Sequence, residues 1–260
     1  MQKKYFFYWA ILFFGATACS PSIPTTNDWA RMHLKGQVQT LEEWSYPSYP
    51  AFQSQQHSLH QKSWFSEQGQ LSQGVHYETE NRRLWSHYTY KGDSVWIRRA
   101  LQENGGPEQN QNYWLYELNQ YGQQQVLTSL QLDTSIFYTI SITFNEHQLP
   151  SLLTYSNQLQ PSLVPCQVKR TYNEQLQVIQ EEVTIYNKTT QQCHPQPTIS
   201  IYQYNEQGDI EREKISYYNG AEGNYSYQYQ YDATGNWITR LHYKGDKVVE
   251  VTKRELVYWK

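Results

Sequence analysis

A seven-residue phrase recurs along this chain at intervals of roughly 26 to 32 residues: an aromatic residue, Asn or Asp, two polar residues, Gly, a polar residue and an apolar one. Its clearest copies lie at 65–71, 204–210 and 231–237, with weaker ones at 118–124, 144–149 and 172–178. The phrase encodes a chain reversal. An Asn or Asp side chain can accept a hydrogen bond from backbone two residues on, and the Gly three residues later (Gly69, Gly122, Gly208, Gly235) tolerates the left-handed conformation that a Cβ disfavours. A type I turn followed by a left-handed residue joins antiparallel strands, so each copy predicts a β-hairpin tip. Gln148 and Leu176 stand where Gly is expected, which predicts either a longer, differently shaped loop or about 1 kcal/mol of local strain. Tighter Gly-Asp turns at Gly92-Asp93 and Gly245-Asp246 fall between copies and put two strands in one repeat.

The segments between turns alternate as half-buried strands do. Ile136, Tyr138, Ile140, Ile142 and Phe144 share one face, and Tyr225, Tyr227, Tyr229 and Tyr231 share another, opposite Ser226, Gln228 and Gln230. Such runs between Gln37 and Trp259 predict on the order of 15 strands and no helix. With 38% hydrophobic residues, much of the apolar material being 24 Tyr and 9 Trp, and a mean hydropathy of -0.83, a thick two-layer core is not expected. The predicted fold is all-β: an antiparallel β-hairpin repeat meander forming one curved sheet or open half-barrel with an aromatic inner face. A net charge of -3, with no Lys/Arg cluster, argues against nucleic acid as a partner.

Residues 1–18 read as a signal peptide, with Lys3 and Lys4 ahead of an apolar run too short to span a bilayer comfortably. Ala16-Thr17-Ala18-Cys19 resembles the bacterial lipobox, with Ala16 where Leu is usual, and implies that Cys19 is lipidated and becomes the first mature residue. The alternative is an ordinary signal peptide with Cys19 as a stray thiol. Residues 19–33 then read as lipidated Cys and flexible tether, and 34–260 as the β-repeat domain with a long loop at about 47–62. Cys166 and Cys193 remain as an even pair flanking the hairpin around 172–178; in an oxidising compartment they predict a disulfide, two free thiols being the other possibility.

Three segments carry a family likeness: Leu34-Lys35-Gly36-x-Val38, Tyr231-Asp232-x-x-Gly235-Asn236-Trp237-x-x-Arg240, and Val251-Thr252-x-Arg254-x-Leu256-x-Tyr258-Trp259. They resemble lipoproteins of Bacteroidetes that carry RHS-like (YD) repeats. The resemblance covers most of the mature chain and implies a β-hairpin array on the cell envelope. With so few repeats, the shell that long RHS arrays build around a toxin domain is not carried over. Ser20 after the Cys, and the absence of acidic residues in 20–23, imply an outer-membrane lipoprotein on the periplasmic face.

No motif for catalysis stands out. His57-x-x-His60 lacks the further ligands a metal needs. Glu42-Glu43 and Glu181-Glu182 are strand neighbours facing opposite ways, unable to flank one substrate, and cross-strand pairing with Lys169, Arg170 or Lys214 is the expected role. No cofactor, metal or catalytic residue is expected. Trp85, Trp96, Trp114 and Trp237 could contact a ligand, or could simply hold strands together through cross-strand pairs. The expected function is a non-catalytic, envelope-anchored scaffold that meets the membrane through its lipid, with an envelope protein or glycan as a candidate partner; the alternative is a carrier for a lipid or glycan in an aromatic-lined concavity.

Overall fold

Each repeat turn returns the chain beside itself, and the strands add one after another into a meander. The computed structural model describes residues 28–92, 94–118, 124–130, 136–157, 165–187 and 192–260. The strands are β1 (Val38–Tyr46), β2 (Leu59–Phe65), β3 (Leu71–Thr79), β4 (Arg82–Lys91), β5 (Ser94–Glu103), β6 (Gln109–Leu118), β7 (Gln124–Leu130), β8 (Ile136–Phe144) and β9 (Pro150–Asn157). They continue as β10 (Pro165–Tyr172), β11 (Val178–Asn187), β12 (Gln192–Cys193), β13 (Thr198–Tyr204), β14 (Ile210–Ser216), β15 (Glu222–Tyr231), β16 (Trp237–Lys244) and β17 (Lys247–Tyr258). Each pairs antiparallel with the next, except that β11 pairs with β13 directly while the two-residue β12 hangs beside it.

The sheet closes. β17 pairs with β1 from Val38↔Tyr258 to Tyr46↔Val251, so sixteen of these strands form a continuous antiparallel barrel. The open half-barrel or single curved sheet expected from composition is therefore corrected. An open meander would leave one unpaired row of N–H and C=O groups on each terminal strand, and joining the two rows satisfies both at once.

The turns have the geometry that their sequences specify. Asn145, Asn205 and Asp232 each use Oδ1 to accept from backbone N–H groups two and four residues on, at 2.9–3.0 Å. The position three residues after the Asn, Asp or Ser is left-handed in five copies: Gly69, Gln148, Leu176, Gly208 and Gly235 have φ of 80°, 59°, 63°, 88° and 88°. Gln148 and Leu176 thus keep the common turn and accept the strain; no longer loop replaces it. Gly122 lies outside the described residues. The connections β2–β3, β4–β5, β6–β7, β8–β9, β10–β11, β13–β14 and β15–β16 all fall at one rim, here the turn rim, so the Gly92 turn takes the place of a phrase copy while the Gly245 turn lies at the other rim. The opposite, far rim carries the connection between β11 and β13, where a disulfide joins Cys166 to Cys193 across a Cα separation of 6.0 Å.

Two short helices stand where none is expected. α1 (Asp28–Arg31) and the residues after it pack against the sheet, so the second half of the expected 19–33 tether is fixed. α2 (Tyr49–Gln53) starts at Ser48, whose side chain accepts from Ala51 N, with Pro50 in its first turn. Together with β2 it replaces most of the loop expected at 47–62. Phe52 meets the ring of Tyr46 edge-on at 5.1 Å.

α1 also tells inside from outside. Trp29 and Leu34 form one cluster with Val38 and Leu41 of β1, Phe65 of β2 and Leu71 of β3, against which Tyr88 of β4 and Leu256 and Tyr258 of β17 pack. From β17 to β4 is roughly 19 Å of sheet at about 4.8 Å per strand, so one small cluster can reach all five strands only from the concave side. This face is the lumen. It continues through Val95, Tyr116, Leu127 and Ile140, which oppose one another across β5 to β8, and through Leu153 and Val168; all are buried.

The turn account gives an expected pair of stability changes. Gly208→Ala should cost about 1–2 kcal/mol, because a Cβ there meets Gln177 at only an ordinary 3.5 Å and the penalty is one of backbone conformation. Leu176→Gly should gain up to about 1 kcal/mol, less whatever its half-buried side chain contributes. Urea unfolding midpoints moving in the same direction for both would contradict this.

Candidate functional site

Antiparallel register places opposite charges face to face inside the barrel. Arg254 opposes Glu43, and its Nε donates to Glu43 Oε2 at 2.7 Å while the guanidinium lies 3.3 Å from the ring centroid of Trp237. Burial pulls the pKa of Arg254 below its ordinary value, against the pull of Glu43. Arg240 opposes Thr252, donates to its Oγ1 at 3.1 Å and to Glu250 Oε1 at 3.3 Å, and lies over Trp237 and Tyr227. Tyr227 stacks on His242 at 4.6 Å and donates to Glu213 Oε2 at 2.7 Å; burial first, and then Glu213, push its phenol up. Arg170 opposes Glu181 and donates to Oε2 at 2.8 Å, with both residues buried. The lumen wall is therefore a mosaic of aromatic rings and neutralised ion pairs. Such pairs leave no uncompensated charge to act on a substrate.

The outer wall carries a different construction. Trp44 of β1, His60 of β2 and Tyr77 of β3 stack across adjacent strands, with centroids 5.1 and 4.0 Å apart and planes within 16° and 11°. Lys253 caps this row over Trp44 and Arg83 caps it over Tyr77. Beside it Trp64, Trp85 and His87 stack at 6.0 Å intervals, with Lys62 over Trp64. Rings stacked upon one another turn their edges outward, and the capping cations cover the end faces. A sugar needs an exposed ring face to stack on, and these rows have spent theirs on each other.

The four Trp residues proposed as ligand contacts do not converge. Trp85 and Trp96 face outward, Trp85 in the second stack with Nε1 donating to Gln102 at 3.1 Å, and Trp96 exposed. Trp114 and Trp237 face the lumen under Arg99 and Arg254. His60 lies 2.7 Å from Glu42 Oε1, and its neighbour His57 packs near Tyr46. Glu42 faces outward to His60 and Lys62 while Glu43 faces inward to Arg254. Glu181 and Glu182 likewise part, the latter opposing Lys169. Among the described residues no group of three or more His, Cys, Asp or Glu is placed to hold a metal ion. Cys19 and residues 1–27 lie outside the described residues.

Sequence reasoning misses one constellation altogether. Asp28 N donates to Gly69 O at 2.8 Å, and its carboxylate accepts from Leu71 N at 2.6 Å and Tyr90 Oη at 2.5 Å while pairing with Arg31. Farther along, Lys35 N donates to Asn236 Oδ1 and Asn236 Nδ2 donates to Lys35 O, both at 2.8 Å. The segment 28–37 is thereby sewn to the turn rim at two places. Asn236 is the residue after the left-handed Gly235, and its position in the Tyr-Asp phrase gave the only sequence signal.

Outward positions near strand centres mix apolar residues such as Leu115, Ile201 and Leu241 with many charged and polar ones. They include Glu42, Lys62, Arg98, Lys169, Glu182, Arg212, Lys214, Gln228 and Lys253, spread over β1, β2, β5, β10, β11, β14, β15 and β17. A barrel wall in lipid needs an apolar outer band about 25 Å tall, and Lys or Arg at the bilayer midplane costs about 2–4 kcal/mol each.

No protein-family model and no curated protein matches this sequence. Solved structures do. A porin-like protein from Bacteroides uniformis superposes with a TM-score of 0.55 at 10% identity, over 90% of this chain and 100% of its own. A porin-like protein from Bacteroides vulgatus gives 0.53 at 9% identity, over 85% of this chain and 98% of its own. At these identities the fold is what is shared: a closed antiparallel barrel. The TcdB2-TccC3-Cdc42 structure matches 74% of this chain over only 10% of its own, at a TM-score of 0.33 and 14% identity.

Two measurements check the lumen. Arg170→Met leaves Glu181 buried without its partner and should cost about 3–5 kcal/mol in urea unfolding, while adding Glu181→Leu should recover most of it. His33 is held down to about 4 by burial and by Arg254. The unfolded chain takes up this proton below its ordinary 6.5, so the neutral ring contributes stability above that pH, which is lost as pH falls toward 4. His33→Asn, which tolerates the φ of 54° at this position, should flatten the fall in Tm between pH 6.5 and 4. An unchanged profile would contradict the assignment.

Proposed function

We propose that this chain is a lipid-anchored barrel of the bacterial envelope whose wall stands in water, and that it acts as a non-catalytic scaffold. The observation that carries the reading is the outward ring of charges. Six cations stand at outward strand positions (Lys62, Arg98, Lys169, Arg212, Lys214, Lys253), and each one at the depth of a bilayer midplane would cost about 2–4 kcal/mol in hydrocarbon. A porin-like outline with this polarity favours attachment over insertion. The lipobox-like Ala16-Thr17-Ala18-Cys19 supplies the attachment, and the RHS-like motifs and Ser20 support an outer-membrane lipoprotein on the periplasmic side. Paired charges in the lumen and self-stacked rings outside support a scaffold more than an enzyme or a sugar-binding platform.

Cys19→Ser separates attachment from insertion. The wild-type protein should pellet with carbonate-washed membranes, and the variant should move to the soluble fraction with the same Tm. A variant that stays in washed membranes would place the wall in lipid, and a soluble wild type would remove the anchor.

A further inference from the structure

The point at which the chain enters the barrel is fixed at one rim, and this sets which end can approach the membrane. We propose that the turn rim faces the lipid surface and that the far rim, with the Cys166–Cys193 bridge, faces away; this rests on the anchor at Cys19.

Asp28 is the first described residue, and its three rim contacts, to Gly69, Leu71 and Tyr90, hold it in place. Asp28 lies nine positions from Cys19, a covalent reach of at most about 30 Å. The far rim stands about 25 Å beyond the turn rim, given strands of seven to twelve residues at about 3.3 Å each with the usual barrel tilt. A lipid at Cys19 therefore lies within easy reach of the turn rim and could meet the far rim only with the intervening chain nearly fully extended. A pull on the anchor is borne by β3, β4 and the β2–β3 turn through Asp28, and by the β15–β16 turn through the Lys35–Asn236 pair.

The surface of that rim decides how close it comes. Glu67, Glu146, Glu174 and Glu206 occupy the same place in four repeat turns, and all are exposed. No large apolar side chain sits at this place in the described turns. The glutamates hold it off an anionic bilayer, but their repulsion is screened over a Debye length of about 8 Å, shorter than the tether. The rim stands at the membrane without entering it.

The test uses full-length lipidated protein, extracted in mild detergent and reconstituted into phosphatidylethanolamine–phosphatidylglycerol vesicles carrying an acceptor dye on the headgroup. Donor dyes are attached singly through Glu206→Cys at the turn rim or Asp246→Cys at the far rim, both exposed positions; the native disulfide stays oxidised and does not react. Energy transfer should be about twofold or more greater from position 206, given the ~25 Å height of the barrel. Equal transfer, or more from position 246, with the protein still bound to vesicles overturns the orientation alone. Protein that fails to bind vesicles overturns the anchor, and the orientation with it.

Discussion

The structure depends on one pairing, that of the first strand with the last. β1 and β17 lie at opposite ends of the described chain, and the Glu43–Arg254 contact joins residues 211 positions apart. Without this ladder the sheet would end in two open edges, each able to pair with another chain. With it, Leu41, Leu256 and Tyr258 come together around Trp29, and Arg254 is brought onto Trp237. Closure also fixes which face is inside, and therefore which residues need apolar neighbours and which need water.

The closed wall departs from a lipid-spanning barrel chiefly in the charges it shows outward. In a bilayer the outer band must be greasy and the interior is free to be polar. Here Val95, Ile97, Tyr116, Leu127 and Ile140 line the inside, while Lys169, Lys214 and Lys253 stand outside. The likeness to porin-like proteins is thus one of strand count and course. The proposal that the wall stands in water rests on those outward charges.

Much of this was legible in single residues. Asn205, Asp232, Gly208 and Gly235 mark hairpin turns, and the even spacing of Tyr225, Tyr227 and Tyr229 marks one face of β15; the structure uses them so. The alternation even contained the division of the tryptophans. Trp96 sits between the buried Val95 and Ile97, so it must face away from them, whereas Trp114 shares a face with Tyr116. Closure was not legible, because a strand's hydrophobic pattern says which side is buried and not which edge it will meet. Nor was β2: its inward Gln61 and Ser63 and outward His60, Lys62 and Trp64 invert the usual contrast, so no apolar alternation announced it. α1 is four residues long, too short for a periodicity, and its hold on the barrel comes from Asp28 reaching Leu71 and Tyr90 far along the chain.

Closure is tested most directly by a covalent link across the seam. Glu42 and Glu255 are facing partners on the outer side of β1 and β17, and neither lies in the lumen. In a protein carrying Glu42→Cys and Glu255→Cys, mild oxidation should join the two positions nearly completely within one chain, leaving the Cys166–Cys193 bridge in place. If both new thiols remain free to alkylating reagent after oxidation while the protein stays folded, the first and last strands do not meet and the barrel is open.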